Sequence, residues 1–444
     1  MTRRPVRTVL LWSFLTGPLA AQDTAWFFRD VSIRPSARSG RTLTFLEHLG
    51  KALLFSNTSS NDTWEWNGSS WTQLSPATSP PIRIGAALVY DPNRRVSVLF
   101  GGGVLAPTDE TWEWIGTNWA QKNPVQRPIP RSDHAMVFDP IRQRVVLFGG
   151  LDNRFGRFLD DTWTWDGTDW TQVATGNPPG RYQHAMAFDE ARGVVVLFGG
   201  GSSQTLFNDT WEWDGTVWRD VTRFPAPRSR VGHAMAYHAV RQRVILFAGH
   251  TMFGGGVVDE TWEWNGVSRT WVPLFPLSTP GPKWLHGMVY DRWRSRMIVF
   301  GGYNNFAPVT DETWTFSEIP LTAWPADPTP GQTIILLLNS VRDPGAGYLL
   351  GCSFSRVPGI PILPDGRVIS LGPDPLLFWS MGSLTPPFLG FQGGLSASGW
   401  AQASILLPGE QALAGVRFFV SGFVYDAQGV RTVLNEVELR VRSS

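Results

Sequence analysis

The 444-residue sequence contains a single cysteine, Cys352. No intramolecular disulfide and no cysteine-based zinc site can form, so packing alone must hold the fold. Lysine is nearly absent, occurring only at Lys51, Lys122 and Lys283, and arginine carries almost all of the positive charge. The formal net charge is +1 and no block of like charge occurs. This balance lacks the electrostatic footprint of a nucleic-acid binder, so no nucleic-acid partner is expected. No apolar run reaches the roughly 20 residues of a membrane-spanning helix, and no membrane span is expected. A P-loop, a serine elbow and sustained helical periodicity are missing too, and no cofactor is expected.

The first 21 residues differ from the rest. MTRRPVRT carries three arginines, VLLWSFL is a short apolar stretch, and GPLAAQ ends in small residues. Together they match a signal peptide at 1–21, which places the mature chain in a secreted, periplasmic or cell-surface setting. Thr2-Arg3-Arg4 leaves the general and the twin-arginine export routes both open.

What the sequence has in abundance is tryptophan, 23 residues, and a phrase built around it. DDTWTWDGTDWTQV returns as NDTWEWNGSSWTQL, DETWEWIGTNWAQK, NDTWEWDGTVWRDV and DETWEWNGVSRTWVPL. The Thr-Trp pair recurs roughly every 50 residues, at Trp64, Trp112, Trp163, Trp211, Trp262 and Trp314. Each unit reads as four strands: an alternating run (RSDHAMVFD), an apolar run ending in glycines (VVLFGG), the Thr-Trp strand, and a last short segment. Asp166-Gly167 is the composition of a two-residue hairpin turn. A four-stranded sheet cannot bury both of its faces alone, so six copies must stack, and radial stacking closes as a propeller.

The glycine doublets Gly101-Gly102, Gly149-Gly150, Gly199-Gly200 and Gly301-Gly302, with the tryptophan column, resemble the kelch-repeat β-propellers, a group that includes the galactose-oxidase-like propeller. The doublet becomes Ala248-Gly249 in one copy and Ser56-Asn57 in the first. The resemblance covers about 26 to 318 and implies six blades within a domain at 22–319. It does not carry over the copper site of galactose oxidase, which needs a cysteine beside propeller tyrosines, whereas Cys352 lies outside the repeats.

The sixth unit lacks its outermost strand. Phe28-Arg29-Asp30-Val31-Ser32 resembles Trp218-Arg219-Asp220-Val221-Thr222, so an N-terminal strand is expected to pair with Thr313 to Phe316 and close the ring. Two charged columns run through all six copies. Asp62, Glu110, Asp161, Asp209, Glu260 and Glu312 precede each Thr-Trp, and Arg38, Arg83, Arg131, Arg181, Arg230 and Lys283 enter each first strand. Opposite signs on one edge suggest structural pairing, within or between blades. Arg94, Arg142, Arg192, Arg241 and Arg294 recur at the opposite edge and read as a solvated ring of charge. Four copies carry a histidine three positions after the basic residue: His134, His184, His233 and His286. They are weak candidates for a metal set near the axis, and ring symmetry favours separate packing roles instead.

The loops between second and third strands vary in length while everything beneath them repeats. They carry Arg154, Phe155, Arg157 and Phe158, then Phe207, then Met252 and Phe253, then Tyr303, Asn304, Asn305 and Phe306. Aromatic side chains with arginine and asparagine suit a stacked sugar or an anchored peptide. The same phenylalanines would also serve to pack the loops down or to meet another domain. Beyond a Pro-rich hinge at 320–332, apolar strands separated by Gly, Pro and Asp at 333–444 point to a β-sandwich. The expected protein is therefore all-β and monomeric: a six-bladed kelch-type propeller closed by an N-terminal strand, then the sandwich. The preferred function is an exported, non-catalytic binding module for a glycan or an extended peptide. The competing one is a glycan-active oxidase, hydrolase or lyase with a metal or acid/base site near the axis.

Overall fold

The computed structural model describes residues 24–318, apart from 40, 56–58, 174–177, 252–255, 277 and 305–308, and a set of strands beyond 318. The chain divides into two compact units between Ser317 and Glu318.

The first unit is a six-bladed, all-β propeller, and no helix occurs among the described residues. Each blade is a four-stranded antiparallel sheet taken in chain order, as in blade 3: Ala135–Asp139, Arg144–Phe148, Thr162–Trp165 and Trp170–Val173. The inner strands, Leu43–Leu46, Ala87–Asp91, Ala135–Asp139, Ala185–Asp189, Ala234–His238 and Gly287–Asp291, touch one another in sequence, and the last touches the first. Second strands end in an apolar run that is wholly buried, such as Val145, Val146, Leu147 and Phe148. Apolar residues on both faces of a strand are what a sheet sandwiched between two neighbours requires.

Blade 6 is closed by the N-terminus, its order being Thr24–Arg29, Thr313–Glu318, Arg296–Phe300, Gly287–Asp291. The register differs from the expected one by two residues. Trp26, not Phe28, fills the position of Trp218, and Phe28 is 45% exposed. A contact made once per blade explains why. The first tryptophan of each outer strand donates its indole N–H to the threonine of the Thr-Trp pair in the third strand of the preceding blade: Trp71 to Thr313, Trp119 to Thr63, Trp170 to Thr111, Trp218 to Thr162, Trp271 to Thr210 and Trp26 to Thr261, all at 2.8–3.2 Å. The same ring lies on the last phenylalanine of that blade's second strand, as Trp26 does on Phe247 with centroids 4.3 Å apart. A buried indole of this size contributes several kcal/mol through its apolar area, and only tryptophan adds the donor that fixes register.

Both glycines of each doublet adopt positive φ, and the alanine that replaces the first one in blade 5 keeps that conformation, with φ 60° at Ala248. A side chain at Gly101 would sit 2.6 Å from the Arg131 carbonyl of the next blade, so glycine is favoured there by space as well as by backbone.

The outer hairpin differs from the expected two-residue turn. Trp165 pairs with Trp170, leaving a four-residue loop in which Asp166 Oδ1 accepts the N–H groups of Thr168 and Asp169. Asp166 favours this position because its side chain replaces the missing backbone acceptor, while Gly167 alone takes positive φ. Nor is the arginine ring of this edge simply solvated. Arg94, Arg142, Arg192 and Arg294 each pair with the aspartate three residues before, and Arg241 pairs with Glu263. The heads of Arg94, Arg142, Arg192 and Arg294 reach the outer turn of the next blade, where a Cβ on Gly167, Gly215, Gly266 or Gly68 would strike the guanidinium. Blade 1 has no such arginine, and a Cβ on Gly116, in the turn it would reach, meets nothing within 4 Å.

In the second unit, Leu321–Trp324 pairs with Thr333–Asn339, which pairs with Trp400–Leu406, itself joined by Phe388–Leu389. A further sheet holds Gln392–Gly394, Gly347–Ser353, Arg417–Asp426 and Gly429–Val433, with Val437–Arg440 also pairing Arg417–Asp426. The strand at 321–324 lies inside the stretch read as a hinge. The expected signal peptide at 1–21 lies outside the described residues.

Candidate functional site

The base of the long-loop rim is a ladder repeated in every blade. Each entering cation pairs with the acid of its own blade: Arg38 with Asp62, Arg83 with Glu110, Arg131 with Asp161, Arg181 with Asp209, Arg230 with Glu260 and Lys283 with Glu312, at 2.5–2.7 Å. The same acid accepts the indole N–H of the tryptophan two residues on, as Asp161 does from Trp163 at 2.7 Å. Arg131 is fully buried, and its remaining donors meet the carbonyls of Ile129 and Gly149. Burial alone would push the Asp161 carboxyl upward, but the hydrogen bonds and charge of Arg131, with Trp163, hold it below the usual range. Satisfied charges of this kind fix the loop bases.

Toward the axis the four histidines are buried, and each of His134, His184, His233 and His286 stands edge-on to the second-strand phenylalanine of the preceding blade: Phe100, Phe148, Phe198 and Phe247. Burial, then the charge of the neighbouring cation and of Arg41, holds them neutral, with His286 lowered to about 3. They act as packing wedges between blades. Among the described residues no three His, Cys, Asp or Glu side chains converge as a metal site.

Above them a collar of backbone hydrogen bonds runs from blade to blade. Asp133 N–H donates to Gly85, Gln183 to Asp133, Gly232 to Gln183 and Leu285 to Gly232, at 2.7–2.9 Å. Arg41, which takes the histidine position in blade 1, reaches to blade 3 and pairs with Asp133 at 2.8 Å, while Gln183 Nε2 lies 3.3 Å from the same carboxylate. Burial lowers the Arg41 pKa and Asp133 opposes that shift.

The loop residues then sort by environment. Phe155 is 71% exposed, with the Arg157 guanidinium 4.9 Å from its ring centre. Arg157 also pairs with buried Asp152 at 3.0 Å, which fixes the tip of a short ribbon, Leu151–Asp152 with Arg157–Phe158. Arg154 is exposed on that tip. Phe158 is half-buried against Tyr182. Phe207 covers the Arg181 guanidinium at 4.2 Å and so belongs to the ladder beneath. Tyr303 packs against Trp284, which also meets His250, and Asn304 is half-buried beside it. Met252, Phe253, Asn305 and Phe306 lie outside the described residues.

Sequence reasoning missed Tyr182, Trp284, Arg41 and Asp133. The signal was present one place after each basic residue, in the column Ile84, Ser132, Tyr182, Val231 and Trp284. Each of these exchanges two backbone hydrogen bonds with the residue after the second glycine, for example Trp284 with Tyr303. The column is therefore held rigidly at the rim, and two of its members are aromatic.

A family model described as Attractin/LZTR1 beta-propeller matches residues 108–319. No curated protein matches the chain. The match and the six closed sheets support a kelch-type propeller, a fold that generally serves protein interaction. No helix among the described residues is long and apolar enough to cross a membrane.

Proposed function

We propose that the protein is an exported, non-catalytic and monomeric binding module. Its ligand is a glycan or an extended peptide, held on the long-loop rim. A galactose-oxidase-like propeller of a secreted bacterial protein, with a signal peptide at 1–21 and a β-sandwich at 333–444, is the organisation that goes with this reading. The observation that carries it is the contrast at blade 3, where an exposed Phe155–Arg157 pair stands on a ribbon anchored by Asp152. Aromatic and arginine side chains held on a rigid base lose little entropy on binding. Phe158 with Tyr182, and Trp284 with Tyr303, extend the same rim with stacked aromatic pairs.

The test is a glycan and peptide array probed with wild type and with a Phe155→Ala, Phe158→Ala, Tyr303→Ala, Phe306→Ala variant. Binding by the wild type alone supports the rim. Binding that survives all four changes places the site elsewhere, and a wild type that binds nothing rejects the ligand classes named.

A further inference from the structure

Blade 3 departs from the repeat at a single chemical position. Third strands read Thr-Trp-Glu-Trp in blades 1, 2, 4 and 5, and each glutamate pairs with a cation of its own blade. Glu65 meets Lys51 at 2.7 Å, Glu113 meets Arg94 at 2.6 Å, Glu212 meets Arg192 at 2.6 Å and Glu263 meets Arg241 at 3.1 Å. Glu113 also accepts the indole N–H of Trp165 from the next blade at 3.2 Å. Blade 3 has Thr164 in this place. The partners a glutamate would meet are still present, Arg142 in the turn and Trp213 from blade 4.

A cleft of about 330 Å³ occupies the space between blades 3 and 4, with Asp139, Arg142, Arg144, Thr164, Thr171 and Trp213 in its wall. Arg142 holds Asp139 with one arm at 2.7 Å and donates with the other to the Asp214 carbonyl. Asp139 is saturated, because its second oxygen accepts the N–H groups of Ile141 and Arg142. Arg144 adds a second guanidinium whose carboxylate, Asp166, lies 3.6 Å away, with both side chains about two-fifths exposed. Blade 6 also carries threonine, Thr315, but there Arg29 of the closing strand fills the space and bonds the hydroxyl at 3.0 Å. Between blades 3 and 4 the lost glutamate leaves an open cleft beside two arginines.

We propose that this cleft receives the carboxylate of a glutamate side chain from a protein partner, in the position that the neighbouring blades fill from their own chain. The Arg142 and Arg144 guanidiniums supply charge-assisted donors. The cross-strand pair Thr164 and Thr171 supplies hydroxyls, and Trp213 with Val146 supplies an apolar wall for the methylene stem. Arg142 and Gly215 belong to the tight-turn edge, so this site is independent of the long-loop rim.

Calorimetry with the α-amide of N-acetylglutamate, the matching glutamine derivative and galacturonate tests the assignment. The glutamate probe is expected to bind, the neutral probe at least tenfold more weakly, and Arg144→Met, at a half-exposed residue, to weaken the glutamate probe at least tenfold. Thr164→Glu restores the internal carboxylate, and it should raise the Tm and abolish probe binding. Equal binding of acid and amide, or a Thr164→Glu protein that binds the probe like wild type, overturns the proposal. Tighter binding of galacturonate overturns the protein partner in favour of an acidic glycan.

Discussion

The two rims of the propeller use the same chemistry, arginine against carboxylate, in opposite ways. At the long-loop rim all six cation–acid pairs are present, the cations are nearly inaccessible, and each acid also holds an indole. Variation there is confined to what stands above the ladder. At the tight-turn rim the pairs themselves vary: blade 1 lacks the turn arginine, blade 5 replaces the turn aspartate by His238, and blades 3 and 6 lack the glutamate. Arg94 and Arg142 are about one-third exposed, where water already solvates the charge. Asp91 and Asp139 beneath them are buried but each accepts two backbone N–H groups, so the repeat varies where the cation reaches water and the acid keeps backbone donors, and holds where the cation itself is buried.

The largest effect tests closure. Trp26→Ala should cost about 3–5 kcal/mol, as other buried tryptophan truncations do, and removal of residues 24–32 should cost more. A truncated protein with an unchanged denaturation midpoint would show that the N-terminal strand does not complete blade 6.

Next is the contrast between rims. Arg131→Ala should cost about 3 kcal/mol, because Asp161 keeps its charge in a largely buried place. Arg142→Ala should cost less than Arg131→Ala, because the buried Asp139 carboxylate keeps the backbone N–H groups of Ile141 and Arg142. Combined with Asp161→Ala, the Arg131 change should be clearly non-additive. Equal losses at 131 and 142 would erase the distinction.

A smaller, pH-dependent effect comes from the wedge histidines. Their pKa values lie well below 6.5 in the fold, at about 3 for His286, and near 6.5 in the unfolded chain. The unfolded chain therefore binds more protons below that value. The histidine contribution is complete above pH ~6.5 and is lost as pH falls from there toward the folded values, at up to ~1.4 kcal/mol per pH unit for each group. The ladder acids, Asp62, Glu110, Asp161 and Glu260, are lowered in the fold and begin to act only below about pH 4. A urea midpoint that stays flat between pH 7 and 5 would contradict the wedge role.

The smallest expected change in stability is at Phe155. Its alanine variant should stay within about 0.5 kcal/mol of wild type while losing affinity for the rim ligand. A large loss of stability would show that the ring packs rather than presents.

Repetition made much of this legible. Six aligned copies turn single residues into columns, and columns of opposite sign at one edge read as pairs before any coordinates. Register at the seam was not legible, because Phe28-Arg29-Asp30-Val31 mimics Trp218-Arg219-Asp220-Val221 in letters, while the deciding interaction is an indole N–H that only Trp26 can make to Thr261. The four-residue outer turn was hidden because Asp-Gly serves two turn geometries. The cleft beside Thr164 was missed because the sequence shows a polar residue in place of another, and only packing shows that the exchange leaves a space.

The seam has a mechanical meaning. The first and last strands of the propeller, Thr24–Arg29 and Thr313–Glu318, are neighbours in one sheet. Tension applied through the chain from its two sides therefore loads a single strand pair in blade 6, and the other five blades feel it only once that pair has parted. In a single-molecule pulling experiment the first rupture should release blade 6 alone, and the threshold for it is set by one tryptophan seated on the blade beside it.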